Sequence, residues 1–111
     1  MGNAVLNRRG QAKKEIHFEG KHLRLELKSK EIESILVEFE EGAEFGRMYS
    51  HEGEEIHLVL KGIVEYKVGE EVFHLKTGDS LWHDSMLPHT ARNAGKEPAK
   101  VLTVSTGTTF M

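Results

Sequence analysis

From Glu15 to Ser105 the apolar side chains fall at every second position, in short runs cut by turn residues. Ile16 and Phe18 alternate with polar neighbours, and so do Leu23, Leu25 and Leu27. After a polar turn at Lys28 to Glu31, Ile35, Val37 and Phe39 take up the same rhythm. Only an extended chain places residues of equal parity on one face, so these runs read as strands. Later strands are expected at Glu55 to Leu60, Ile63 to Val68, Val72 to Lys76, Ser80 to His83, His89 to Asn93 and Ala99 to Ser105. The Lys61-Gly62 step reads as a tight turn with Ile63 to Val68 returning. Turn signals every ~8–12 residues and no amphipathic helical pattern indicate an all-β sandwich or barrel.

A chain of 111 residues fits one domain with one modest core. Residues 1–14 are polar and basic, and read as an arm or an edge strand on a neighbouring subunit; residues 15–111 form the domain. Arg8-Arg9 and Lys13-Lys14 lack any aromatic or helical reader, so a solvated arm is the better account of them than a nucleic-acid tail. The net charge of −3 gives no general reason to expect nucleic acid as a partner. Without cysteine, disulfides, Cys-bound zinc and iron–sulfur clusters are excluded. Neither a signal sequence nor an apolar run near the ~20 residues of a membrane span is present, and a cytoplasmic protein is the expectation. The strand from Ile56 to Leu60 is apolar on both faces, which points to a homodimer covering its outer side.

The chemistry gathers in two stretches, HEGEEIHLVLKG from His51 to Gly62 and LPHTARN from Leu87 to Asn93. Parity puts Glu55, His57 and Val59 on one face of their strand. His51 can fold back over the same mouth, and His89 opens a later strand. Two imidazoles and one carboxylate make a facial set suited to iron, manganese, nickel or zinc, with other positions left for water or substrate. On spacing alone, an exposed charged turn accounts for His51 and Glu55 equally well. His17, His22 and His74 read as surface residues.

These stretches resemble the two motifs of the cupin superfamily, whose fold is a small jelly-roll barrel (a double-stranded β-helix). Glu55 and Gly62 have the family's separation, and His51 matches the second histidine of the first motif. Tyr49 stands where the first histidine is usual. In the second motif Gly78, His89 and Asn93 match, while Asp84 and Met86 replace a proline and a glycine. The resemblance implies His51, Glu55 and His89 as ligands of a divalent metal. Tyr49 becomes a conditional fourth ligand, since a phenol with a pKa near ~10 must first lose its proton. His57, Val59, Trp82, His83, Ala91 and Asn93 are the expected pocket residues. Tyr49, His57 and His83 are the candidates for acid–base work.

From Val5 to Phe110, including LKTGDSLWHDSMLPHTARN, EPAKVLTV and the ending TGTTF, the chain is similar to the C-terminal sensor domain of helix-turn-helix regulators of the cupin type. It shows no counterpart of their helical DNA-reading half, so direct nucleic-acid binding does not carry over. Three functions stay open at this point. One is a stand-alone domain binding a divalent metal and a small polar metabolite. The second is a metal-dependent dioxygenase, isomerase or lyase, and the third a metal-free effector-sensing domain.

Overall fold

The computed structural model describes residues 3–107; Met1, Gly2 and residues 108–111, which include most of the TGTTF ending, lie outside the described residues. The described residues form nine strands: β1 Lys14–Phe18, β2 Lys21–Lys28, β3 Ile32–Phe39, β4 Glu54–Lys61, β5 Ile63–Val68, β6 Glu71–Lys76, β7 Ser80–Asp84, β8 His89–Asn93 and β9 Ala99–Thr106. A six-stranded antiparallel sheet runs β1-β2-β3-β9-β4-β7, and a three-stranded one runs β6-β5-β8. The two faces enclose the core as a small cupin-type barrel. Inward residues alternate with outward ones most regularly in β3 and β9, as the sequence rhythm requires. Ile35, Val37, Phe39, Val59, Val64 and Val101 are buried at its centre.

The step at Gly62 differs from a hairpin. β5 pairs with β6 and β8 and makes no ladder with β4, so the chain turns a corner into the opposite sheet. Gly62 has φ +86°, and a Cβ there would lie 2.9 Å from Ala99 Cβ and 3.0 Å from Ala99 Cα. Only a residue without a side chain permits both the left-handed backbone and this close approach. Two further crossings, through Gly78 and after β7, return the chain between sheets and bring β8 across from β4.

Residues 3–13 carry no strand, with Lys13 N–H donating to the Leu25 carbonyl at 2.7 Å and Asn7 Nδ2 donating to Glu26 Oε2 at 3.2 Å. On the outer face of the larger sheet Ile56, Leu60 and Trp82 are exposed. No helix among the described residues is long and apolar enough to cross a membrane.

Gly62→Ala should therefore cost more stability than Gly69→Ala, in urea denaturation, by more than ~1 kcal/mol. Gly69 also has a positive φ (+58°), but a Cβ there meets nothing within 4 Å. Equal losses at the two positions would show that the corner tolerates a side chain.

Candidate functional site

β4 carries Glu55 and His57 inward, both buried, from a strand flanked on both sides. Across one neighbour Glu55 pairs with His83 and across the other His57 pairs with Thr103. The segment before β4 is stitched to β8 by an antiparallel bridge between Tyr49 and His89, with N–H···O bonds of 2.8 and 2.9 Å. His51 N–H then donates to the Ser85 carbonyl at 3.0 Å, which turns its imidazole over the end of β4. Two stretches some thirty residues apart, 51–57 and 85–89, thus converge on one carboxylate.

Glu55 Oε2 lies 2.8 Å from His51 Nε2 and 3.2 Å from His89 Nε2, and accepts from Ser85 Oγ at 3.0 Å. Its other oxygen, Oε1, is 3.3 Å from His57 Nε2, which in turn is 3.0 Å from His83 Nε2. The remaining ring nitrogens settle the tautomers. Nδ1 of His51 faces the Glu52 carbonyl at 3.0 Å, Nδ1 of His83 the Asp84 carbonyl at 3.1 Å, and Nδ1 of His89 the Leu87 carbonyl at 2.8 Å. A carbonyl oxygen only accepts, so each Nδ1 carries a proton. In the neutral ring the Nε2 of all three is then a lone pair. His57 differs: its Nδ1 faces Thr103 Oγ1 at 2.8 Å, and its Nε2–H can serve Glu55 and His83.

Lone pairs of His51 and His89 against a carboxylate oxygen repel unless something positive lies among them. In the metal-free protein a proton supplies part of this. Burial opposes the charge on His89, but the hydrogen bond to Glu55 and the Leu87 carbonyl raise its pKa. Burial also works to raise Glu55, yet the His89 hydrogen bond, the charges of His57 and His89 and the Ser85 hydroxyl outweigh it and hold the carboxyl at about 2. In His57 burial wins instead, pushing the imidazole down to about 3 against the pull of Glu55. Burial likewise lowers His83.

Within the described residues His51, Glu55 and His89 form one group of donors able to hold a metal ion, and Glu55, His57 and His83 form another. The donor set fits a divalent ion. Its imidazoles present lone pairs, their second nitrogens are held by backbone carbonyls, and a carboxylate supplies negative charge. An exposed set, Glu15, His17 and His22, lies on the β1–β2 hairpin away from this centre. There the two histidine rings stack at 3.8 Å.

Beside the cluster, between the sheets, is a cavity of about 240 Å³. Its polar end is His51, Glu55, His57 and His89. The walls come from Ile16 and Phe18 of β1, Leu23 of β2, and Ile35, Val37 and Phe39 of β3. Phe45 and Tyr49 form the rim beside Thr90 and Ala91, with Tyr66 and Thr103 below. These walls are apolar, unlike those expected for a polar metabolite.

Of the expected pocket residues, His57 and Ala91 line the cavity, and Val59, Trp82, His83 and Asn93 do not. Val59 shares the inward parity but is buried in the core at 1% exposure. Trp82 is 59% exposed and donates to Glu54 Oε1 at 2.7 Å. Because neighbours on a strand face opposite ways, Trp82 must point out where His83 points in. His83 sits behind His57. Asn93 is structural: its Nδ2 donates to the Glu40 and Glu97 carbonyls, tying the loop before β9 to the end of β3. The ring of Tyr49 stands edge-on to Phe45 and under the Arg47 guanidinium at 4.8 Å. Ser85, Thr103 and Tyr66, the last with its ring tilted 30° against His57 at 4.5 Å, belong to the site; Thr103 and Tyr66 had no signal beyond strand parity, and Ser85, in a turn, had none.

A family model for Cupin_2, described as a cupin domain, matches residues 35–105. The chain belongs to this cupin family. Among solved structures, an RmlC-like cupin from Shewanella frigidimarina superposes with a TM-score of 0.82 at 18% identity, covering 96% of this chain and 93% of that one. The Cupin_2 domain of an XRE family transcriptional regulator from Enterobacter cloacae gives 0.72 at 17% identity, covering 81% and 99%. At these identities the likeness is one of fold. The HTH-type transcriptional regulator PuuR of Escherichia coli is 29% identical over 76 residues, 68% of this chain. The match takes in only 41% of PuuR.

For the metal-free cupin the sign of the pH dependence can be worked out group by group. A depressed His57 means that the unfolded chain binds a proton the folded one refuses, so stability falls as pH drops from 6.5 toward about 3. Glu55 adds a second loss as pH drops from 4.5 toward about 2. His89, being raised, stabilises below 6.5 and loses that contribution as pH rises through its folded value. In urea titrations His57→Gln should flatten the slope between about pH 4.5 and 6.5 and leave the steeper acid limb in place. An unchanged slope would assign the upper loss to another group.

Proposed function

We propose that this cupin holds one divalent ion on His51, Glu55 and His89 and binds a single small molecule in the adjoining cavity. Residues 15–111 would be the working unit, with residues 1–14 as an arm. The observation that carries the reading is the convergence of donors: Nε2 of His51 and of His89 both meet Glu55 Oε2 while backbone carbonyls hold each Nδ1, a set that a divalent ion completes when it replaces the protons of the metal-free protein. When bound, such an ion supplies a Lewis acid that polarises a ligand oxygen or orients a coordinated molecule. Of the three acid–base candidates, Tyr49 and His57 line the cavity and His83 does not. His57, kept neutral by burial, is suited to donate a hydrogen bond to a ligand beside the ion.

A second reading is an effector-sensing domain, supported by the match to PuuR and by the likeness to a regulator's cupin domain. It needs the same cavity but no ion, and differs also in the consequence of binding. Elemental analysis after reconstitution with iron, manganese, nickel or zinc separates the readings at their first step. Near one ion per chain is expected in the wild type, with at least ~10-fold weaker retention in His51→Ala and His89→Ala. A wild type that holds none of the four metals would remove the metal reading and leave the sensing one.

A further inference from the structure

We propose that the ligand of this cavity is a small monoanion with an apolar body, its one charged oxygen head directed at Glu55 and its carbon skeleton lying along the walls. The charge balance is set by residues already described, and this part rests on the metal reading. A divalent ion contributes +2 and Glu55 −1; His51 and His89 ligate as neutral imidazoles through Nε2, and the Nε2 atoms of His57 and His83, 3.0 Å apart, share a single proton between them and add no charge. The centre is then left with +1, which one carboxylate or enolate head neutralises.

The walls restrict the rest of the molecule. Among the described residues that line the cavity there is no lysine, no arginine and no second carboxylate. A second anionic group, as in a dicarboxylate or a phosphate ester, would lie against Val37, Phe39 or Phe45 without a partner. So would the far ammonium of a diamine. Charges removed from water without partners are strongly disfavoured, and the walls select against both classes. Away from the cluster the wall includes Thr90 Oγ1, which is buried without a hydrogen-bond partner. Size gives the other limit. About 240 Å³ is below the roughly 300–1,000 Å³ of pockets for drug-sized ligands. It holds about eight units of water or methylene size. A six-carbon chain or a single ring with its head group fits.

The test uses the cobalt(II)-loaded chain and three acids of equal length: hexanoate, 6-aminohexanoate and adipate. The visible spectrum of cobalt reports a ligand reaching the ion, and the melting temperature reports occupancy of the cavity. Hexanoate is expected to bind at least tenfold more tightly than either of the others. Val37→Thr, which places a hydroxyl in the wall at nearly constant volume, should weaken hexanoate about tenfold and leave cobalt uptake unchanged. Equal or tighter binding of adipate or 6-aminohexanoate, or no spectral response to any of the three, would overturn the proposal. Failure to take up cobalt would instead count against the metal reading. The wall preference is then read in the metal-free chain with neutral probes: 1-hexanol should raise the melting temperature more than 1,6-hexanediol. The same response to both would overturn it there too.

Discussion

Glu55 is a carboxylate with 4% of its surface exposed, set between two sheets. An ionised group taken out of water costs several kcal/mol unless other partners replace the water. Those partners come from His51 ahead of β4, from His57 on the same strand, from Ser85 after β7 and from His89 at the start of β8. Ser85 and His89 cannot reach Glu55 until the crossings through Gly62 and Gly78 have closed the barrel, and the hydrogen bond from His51 N–H to the Ser85 carbonyl that seats the His51 ring waits on the same step. Closure and assembly of the cluster are therefore one event. The same burial that makes Glu55 expensive makes each contact to it strong, because little solvent is present to screen it.

The loops do more than connect. Leu87, Glu52 and Asp84 each present a carbonyl to the Nδ1 of a histidine one or two residues away. Backbone carbonyls cannot change protonation state, so they fix ring orientation and tautomer at any pH where the fold survives. The short spacing also means that ring and anchor move together. A cluster held in this way is organised before any ion or ligand arrives, which is how outer contacts raise the affinity of a centre.

Much of this was legible in the chain. The period-two rhythm marked out the strands, and the parity within β4 placed Glu55 and His57 on one face without knowledge of any neighbour. The motif resemblance added His89, which no local pattern ties to β4. What stayed hidden depended on pairing between distant strands. Thr103 lies in an apolar strand, and only the register of β9 on β4 puts its hydroxyl on His57. Ser85 looks like any loop serine until Gly53 and His51 bind its backbone. The expected pocket residues that lie away from the cavity can be accounted for as well. Trp82 and His83 are adjacent and cannot both face inward, while Val59 and Asn93 have inward parity but lie beyond the cavity's end. Parity assigns a face and says nothing of depth.

Protonation also narrows what the centre is suited to do. A base that works near neutral pH needs a pKa close to it. Glu55 at about 2 and His57 at about 3 are both too weak to take a proton from a poor acid. Tyr66 is pushed upward by burial and stays a phenol. His51 and His89 would be committed to the ion. This part of the cluster is thus built to hold a charge and to give hydrogen bonds, and is poorly matched to proton abstraction. The apolar walls act in the same direction, since they exclude the water that would otherwise carry protons. Polarisation by an ion, or recognition with no chemistry at all, draws on the cluster and the walls together; a base-driven reaction would need a group from outside the cluster.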